Sequence, residues 1–371
     1  HMVFPGPYLF NLFLLGSLSF QEYFCACYLA ERVVSPAFSR KGESSDGTVS
    51  RTKLRDWAAN AFWRETFVFL FEKLSSERDS GWLDDLAEAA FRDESGDWLA
   101  AEYGDDARFA VAARIVGDRH VRLSEPSKEA LLDACARRAW SESREPWREP
   151  VVLQLLIDAG IACVVRAAGE ALDDEGQTFP ASASGELATI STSAATRLLI
   201  IRDPAFSNLS ALAGWSGVRI LDVDGVPLSD LSPLAAITGL KQLSLNNTQV
   251  SDLSPLAAIT GLTELFLDNS QVSDLSPLAA ITGLKQLSLD NTQVSDLSPL
   301  AAITGLKQLS LNNTQVSDPS PLAAISGLTW LSLDNTQVND LSPLAAMIEL
   351  QIRGTRHIQP RDDSDASSLR G

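Results

Sequence analysis

The chain has 371 residues, enough for two or three domains and a sizeable core. Its 48 acidic residues against 30 basic ones leave a net charge of -18, which argues against nucleic acid as the main partner, because phosphate binding needs clustered Lys and Arg. Four cysteines (Cys25, Cys27, Cys135, Cys163) without a CxxC pair, and three scattered histidines (His1, His120, His357), predict a reducing cytoplasm and no metal or other cofactor.

His1-Met2 reads as a cloning scar. The apolar stretch from Val3 to Leu18 is too short to span a membrane, is interrupted by Pro5 and Pro7, and lacks the basic start and small-residue cleavage site of a secretory signal. A membrane is therefore not an expected partner, and the stretch suits packing against protein outside this chain. Next, Phe20, Tyr23, Phe24 and Cys27 share one face of a predicted helix. Residues 50–175 read as an α-helical domain. Trp63, Phe67, Leu70 and Leu74 recur at helical spacing, as do Leu83, Leu86 and Ala90. Ser124-Glu125-Pro126 is a helix start, followed by an apolar face of Leu131, Leu132 and Cys135. The Asp-, Gly-, Pro- and Ser-rich stretch at 176–195 reads as a linker.

From Val218 the sequence repeats every 22 residues, with Leu240, Leu262, Leu284, Leu306 and Leu328 opening successive units. In the first half of a unit, Leu243 and Leu245 alternate with Gln242, Ser244 and Asn246, which is strand period. The second half opens with Ser254-Pro255, where Ser is expected to cap a short helical or 3₁₀ turn that Gly261 ends. One unit cannot bury its own leucines, so stacked units must share a core. A weaker unit precedes them (Leu199, Ile201, Leu209, Leu212), and the pattern breaks over Met347 to Ile352. The fold class is thus α+β: an N-terminal helical domain, then an α/β solenoid over 196–355 with strands on the concave face and 3₁₀ or short helical turns on the convex face. Residues 356–371 form a polar tail of disordered composition.

These units resemble the 22-residue leucine-rich repeats of bacterial internalin-like proteins, whose characteristic convex segment reads Asp252-Leu-Ser-Pro-Leu256 here. Where that family has Asn at the ninth position of the unit, this chain has Thr248, Ser270, Thr292, Thr314 and Thr336, whose hydroxyls are expected to make a similar ladder between turns. Pro319 replaces a usual leucine and is expected to distort the convex side.

Two segments ahead of the repeats resemble a second family. Ser19-Phe-Gln-Glu-Tyr-Phe24 ahead of Tyr28-Leu-Ala30 is similar to the winged-helix end of bacterial NACHT-type (STAND, NLR-like) NTPases, and Trp63-Arg-Glu65 with Phe67-Val-Phe-Leu-Phe71 and Leu74 to the helix that follows there. The resemblance implies that residues 1–49 are a winged-helix remnant and linker, and that the chain is the back half of a signalling protein whose NTPase domain is a partner outside it. In that family a nucleotide-sensing His stands where this chain has Ser17, a departure that counts against nucleotide sensing here. No GxxxxGK[ST] phosphate loop is present, and Lys41-Gly42 does not make one, so no ATP or GTP hydrolysis is expected.

Outward strand residues of a solenoid are its natural binding surface. The third positions of the units are Ile220, Gln242, Glu264, Gln286, Gln308 and Trp330, and the fifth include Phe266. The seventh column is acidic at Asp224, Asp268, Asp290 and Asp334, and the eighth holds Gly225 and then five asparagines. Phe266 and Trp330 are expected to show to solvent as anchors for a protein ligand, and the acidic column suits a basic one. No nucleophile–base pair is evident, since His120 lies in Gly117-Asp-Arg-His120 without a sequence partner. The expected function is the cytoplasmic sensor portion of a NACHT–leucine-rich-repeat immune protein, without enzyme activity. A stand-alone adhesin or effector, and a plain scaffold, are the alternatives.

Overall fold

In a computed structural model the described residues are Ala26, Ala30, 51–59, 64–78, 80–93, 97–99, 106–118, 120–143, 151–159, 162–165, 196–202, 206, 209, 210, 212 and 215–354. The front motif at Ser19 to Phe24, Trp63, Ser17, the linker at 176–195 and the tail at 356–371 lie outside them. The chain divides into two compact units, His1–Ala162 and Cys163–Gly371.

The first unit contains α1 (Arg51–Ala58), α2 (Arg64–Glu77), α3 (Ser80–Phe91), α4 (Asp106–Gly117), α5 (Glu125–Ser143) and α6 (Val151–Asp158). The residues that recur at helical spacing form its core. Phe67, Leu70 and Leu74 of α2 and Leu83, Leu86 and Ala90 of α3 are fully buried. Phe71 and Phe91 stack with ring centroids 6.2 Å apart. The helix start read at Ser124 is present, with Ser124 Oγ at 3.5 Å from the Ser127 N–H. Asp84 of α3 accepts the Ser124 N–H at 2.9 Å and so ties α3 to the start of α5. Cys135 is a buried thiol.

The described helices end at Asp158, and Ala162–Val165 is a strand, β1, inside the span 50–175 read as helical. A four-residue apolar run carries no periodicity that separates strand from helix.

The second unit is built on a nine-stranded sheet in chain order. After β1 come β2 (Leu198–Ile201), β3 (Ile220–Asp222), β4 (Gln242–Ser244), β5 (Glu264–Phe266), β6 (Gln286–Ser288), β7 (Gln308–Ser310), β8 (Trp330–Ser332) and β9 (Gln351–Arg353). Strands β2 to β9 pair in parallel, one per turn, so that like positions of each unit face one another: Gln242 with Glu264, Glu264 with Gln286, Gln308 with Trp330. One apolar core runs from Leu199 to Leu350. At its far end the repeat shortens by one residue, so that Trp330 faces Gln351; Ile348, in the place of the exposed Thr304, is 96% exposed.

The convex side corrects three expectations. Each Ser-Pro-Leu-Ala-Ala segment forms a 3₁₀ turn (Ser254–Ala258, for example), yet no side-chain cap bond comes from the residue at the turn's start. The capping atom sits two residues upstream of Ser: Asp252 Oδ1 accepts the Ser254 N–H at 2.8 Å, and Asp274, Asp296 and Asp340 do the same at 2.8 Å. A carboxylate two residues before an N–H closes an Asx turn, which outcompetes a serine hydroxyl. Second, Pro319 does not distort its turn. It sits at φ -87° and ψ 0°, beside -97° and 1° for Leu275, and the turn Ser320–Ala324 forms as in the other units. The turn already holds φ within reach of a proline ring. Third, the ninth-position hydroxyls bond within their own turn. Thr248 donates to the Leu245 carbonyl at 2.7 Å, and Thr292 and Thr314 to Leu289 and Leu311 at 2.6 Å. The short Thr side chain reaches the carbonyl three residues back rather than the next turn.

Candidate recognition face

The strands set the third and fifth positions of each unit on one face, but that face is not uniformly open. In the third column Ile220 and Gln242 are buried, Glu264, Gln286 and Trp330 are half-buried, and Gln308 and Gln351 are exposed. In the fifth, Asp222, Ser244, Ser310 and Ser332 are buried. Phe266 is only 9% exposed, against the expectation that it shows to solvent. Strand period decides the face a side chain leaves from, not how much of the folded chain lies over it. Trp330, expected with it to show to solvent, is half-buried. Gln242 is 3% exposed, and its Oε1 is buried without a hydrogen-bond partner.

The seventh column, read from sequence as a charged surface, is the hydrogen-bond ladder between turns. Asp290 Oδ1 accepts the Ser310 hydroxyl at 2.6 Å and the Asn312 N–H at 2.8 Å, and its Oδ2 accepts the Asn312 side-chain amide at 2.9 Å. Asp268 accepts from Ser288 at 2.6 Å and from the Asp290 N–H at 2.9 Å. Asn312 does the same with Ser332 at 2.6 Å and the Asp334 N–H at 2.8 Å. What the column needs is therefore an oxygen acceptor two bonds beyond Cβ, which Asp and Asn share. The alternation Asp224, Asn246, Asp268, Asp290, Asn312, Asp334 was the available signal. Asp334, near the end of the array, is 45% exposed at its side chain, with Arg353 Nε 3.9 Å from its Oδ2.

The eighth column also serves the backbone. Asn247, Asn269, Asn291, Asn313 and Asn335 sit at φ between 57° and 59°, and Gly225 at 75°. That left-handed region admits Gly and Asn and penalises most other residues. The shared place of Gly225 and the asparagines was the signal in sequence. At the start of the array Arg202 donates two bonds to Asp222, at 2.5 and 2.7 Å, with the Asp222 side chain fully buried. No repeat position marked that pair in advance.

In the helical unit one titratable group is displaced into the neutral range. The Glu72 carboxyl is pushed up to about 7, first by burial and then by a hydrogen bond and the negative charge of Asp118. Burial alone would raise Asp118, but the bond from the His120 N–H (2.7 Å), a bond with Glu72 and the His120 ring Nδ1 at 3.0 Å hold it below its usual range. A hydrogen bond between Glu72 of α2 and Asp118, just past α4, thus favours the protonated form of Glu72 and the ionised form of Asp118. Arg114 of α4 also bonds Glu65 of α2. Among the described residues no group of three His, Cys, Asp or Glu is placed to hold a metal ion, and no helix is long and apolar enough to cross a membrane.

The turns also answer to a family model described as leucine-rich repeats, in overlapping two-copy windows at 238–280, 260–302 and 282–324. Residues 238–324 are leucine-rich repeats. Among solved structures, an internalin of Listeria monocytogenes is 31% identical, over 51% of this chain and 56% of that one, with a TM-score of 0.47. Internalin C2 of the same organism is 35% identical, over 42% of this chain and 68% of that one, at 0.39. A leucine-rich-repeat protein of Leptospira interrogans is 17% identical, over 47% and 57%, at 0.40. The chain spans little more than half of the first of these. No curated protein matches it.

Proposed function

We propose that this chain is the ligand-recognition portion of a bacterial NACHT-type, leucine-rich-repeat immune protein, and that its repeats bind a protein partner on the strand face. The observation that carries the recognition part is the continuous parallel face of a leucine-rich array, on which Gln286, Gln308 and Trp330 remain accessible in consecutive turns. The NACHT part rests on the front motif and on Trp63-Arg-Glu65 ahead of the repeats. On this reading the chain does no chemistry of its own and works in the cytoplasm. Ligand binding favours one state of the larger protein over another, and the NTPase responds by population shift.

The test is the size and place of the native protein in its source cells, by immunoblot of fractionated cells with an antibody to the repeats. A cytoplasmic band far above the 40.0 kDa of this chain is the expected result. A band near 40.0 kDa sinks the NACHT reading, and a surface-bound or secreted pool at that size moves the assignment to an adhesin.

A further inference from the structure

We infer that the array recognises an acidic segment of its partner, one bearing Asp or Glu side chains, along the C-terminal half of the strand face between Lys285 and Arg353. This rests on the recognition reading above and adds a place and a ligand chemistry to it.

The positive charges of the repeats share one column. From residue 203 to residue 352 the Lys and Arg residues are Arg219, Lys241, Lys285 and Lys307, and each stands at the second position of its unit, directly ahead of a strand. The fold does not require them, since Thr263 and Thr329 fill the same column in register. Arg219 is engaged within its own turn, where it donates to the Ser216 and Gly217 carbonyls at 3.0 and 3.2 Å. The three lysines are exposed, and among the described residues their amines have no hydrogen-bond or ion-pair partner. A Cβ on Gly327 would lie 2.9 Å from Lys307 Nζ, so this amine reaches over the glycine shortly ahead of Trp330.

Access selects among the lysines. Beside Lys241 the strand face is closed, with Gln242 3% and Ser244 0% exposed. Beside Lys307 it is open: Gln308 and Gln351 are exposed and flank half-buried Trp330 on consecutive strands. Arg353 ends the row on β9. Its side chain is 75% exposed, and its contact with Asp334 is loose at 3.9 Å.

The chemistry follows from what this half offers. Amines, carboxamides, an indole N–H and a guanidinium are all donors, and a carboxylate is the acceptor that pairs best with the charged ones. The seventh-column carboxylates, which in sequence suited a basic ligand, are engaged in the ladder at Asp268 and Asp290. From β6 to β9 is three strand spacings, about 14 Å, or about four residues of extended peptide, whose alternate side chains fall on one face. A nucleic acid would need a denser row of cations. The chain's charge of -18 opposes an acidic ligand at long range, but physiological salt screens exposed charges beyond about 8 Å and leaves the nearby amines to decide.

The experiment titrates the full chain into fluorescein-labelled Gly-Glu repeat dodecapeptide at physiological salt, followed by fluorescence polarisation, with Gly-Arg and Gly-Ser peptides and a thymidine oligonucleotide alongside. Only the Gly-Glu peptide is expected to bind. Lys307→Thr installs the residue that the column already accepts in other units, so it spares the fold, and should weaken binding about fivefold or more. Lys241→Thr, the same change beside the closed face, should alter it less than about twofold. Arg353→Gln should weaken it several-fold, exposed Gln308→Glu at least about fivefold by repulsion, and Trp330→Ala about tenfold. Absence of Gly-Glu binding overturns the inference. So does an equal loss from Lys241→Thr and Lys307→Thr, which would mean that charge attracts the peptide without a place, and so does equally tight binding of the oligonucleotide. Binding of the Gly-Arg or Gly-Ser peptide instead, lost in Trp330→Ala, overturns the acidic ligand and leaves recognition on the strand face standing. The size of the native polypeptide does not depend on ligand charge, so failure here is distinguishable from failure of the NACHT reading.

Discussion

Replacing Asp290 with Ala removes one rung of the ladder between turns. The carboxylate accepts three hydrogen bonds, from the Ser310 hydroxyl, the Asn312 N–H and the Asn312 side-chain amide. A net hydrogen bond is worth about 1 kcal/mol, and one to a charged group about 1.5–3 kcal/mol. Asp290 is half-buried, so water recovers part of each. The estimate for Asp290→Ala is therefore about 2–4 kcal/mol of lost stability. Asp290→Asn is the discriminating control. It removes the charge and keeps one acceptor oxygen, as Asn312 does for Ser332 and the Asp334 N–H at 2.6 and 2.8 Å, but sets an amide N–H donor where Oδ2 accepted from the Asn312 side chain. Its cost should be about 1 kcal/mol, that of the one bond lost, and well below that of Ala. Urea unfolding followed by far-ultraviolet circular dichroism measures both. Equal destabilisation by Ala and Asn would mean that charge, not the ladder, is what position seven supplies, and the reasoning would fail.

Three further outcomes are expected. Asn291, at φ 58°, should lose about 1 kcal/mol or more as Ala and little as Gly, measured in the same urea assay. A Cβ on Gly117 would stand 2.8 Å from the Ala159 Cβ, so Gly117→Val should destabilise the helical unit by about 1–3 kcal/mol, read by its thermal midpoint. Glu72 supplies a pH test. Its folded value is raised to about 7, so its contribution is fully present below its ordinary value of 4.5 and is lost as pH rises through about 7. Asp118, whose folded value is lowered, acts in the opposite sense, with a contribution lost as pH falls below its ordinary 3.8. Glu72→Gln should therefore flatten the stability change between about pH 5 and 8. An unchanged pH profile in that variant would show that Glu72 is not held protonated in the fold.

The repeat, its register and its core were legible because they follow from one strong periodic signal: every leucine of Leu240-Lys-Gln-Leu-Ser-Leu245 is buried in the position its spacing assigns. The helical core was legible for the same reason at Phe67, Leu70, Leu74, Leu83 and Leu86. What the sequence concealed is how polar atoms pair. Asp, Ser and Thr can each close several short-range bonds, and only geometry decides that Asp252 caps Ser254 or that Thr248 turns back to Leu245. Accessibility was equally hidden. Gln242, Gln286 and Gln308 are the same residue in the same position of three units, yet they range from buried to exposed. A local pattern repeated along a chain cannot report a burial that varies along the array.

That variation decides which columns are available to a ligand. The seventh and eighth positions hold the turns together, the one by accepting hydrogen bonds from the next turn and the other by adopting a left-handed backbone. Substituting them to change binding specificity also changes stability, because their side chains are already committed. The third position makes no such demand in the open half: it tolerates Gln286, Gln308 and Trp330 on successive strands without altering the register. An array that lengthens by copying whole units can therefore keep its ladder and alter its ligand at one residue per turn. Trp330 is where that freedom has been used in the accessible half. A substitution series at the third position of β7 and β8 should accordingly move affinity with stability nearly constant, whereas the same series at Asp290 should move stability first. If the two series shifted stability alike, the separation between the columns that build the fold and the column that reads the ligand would not hold.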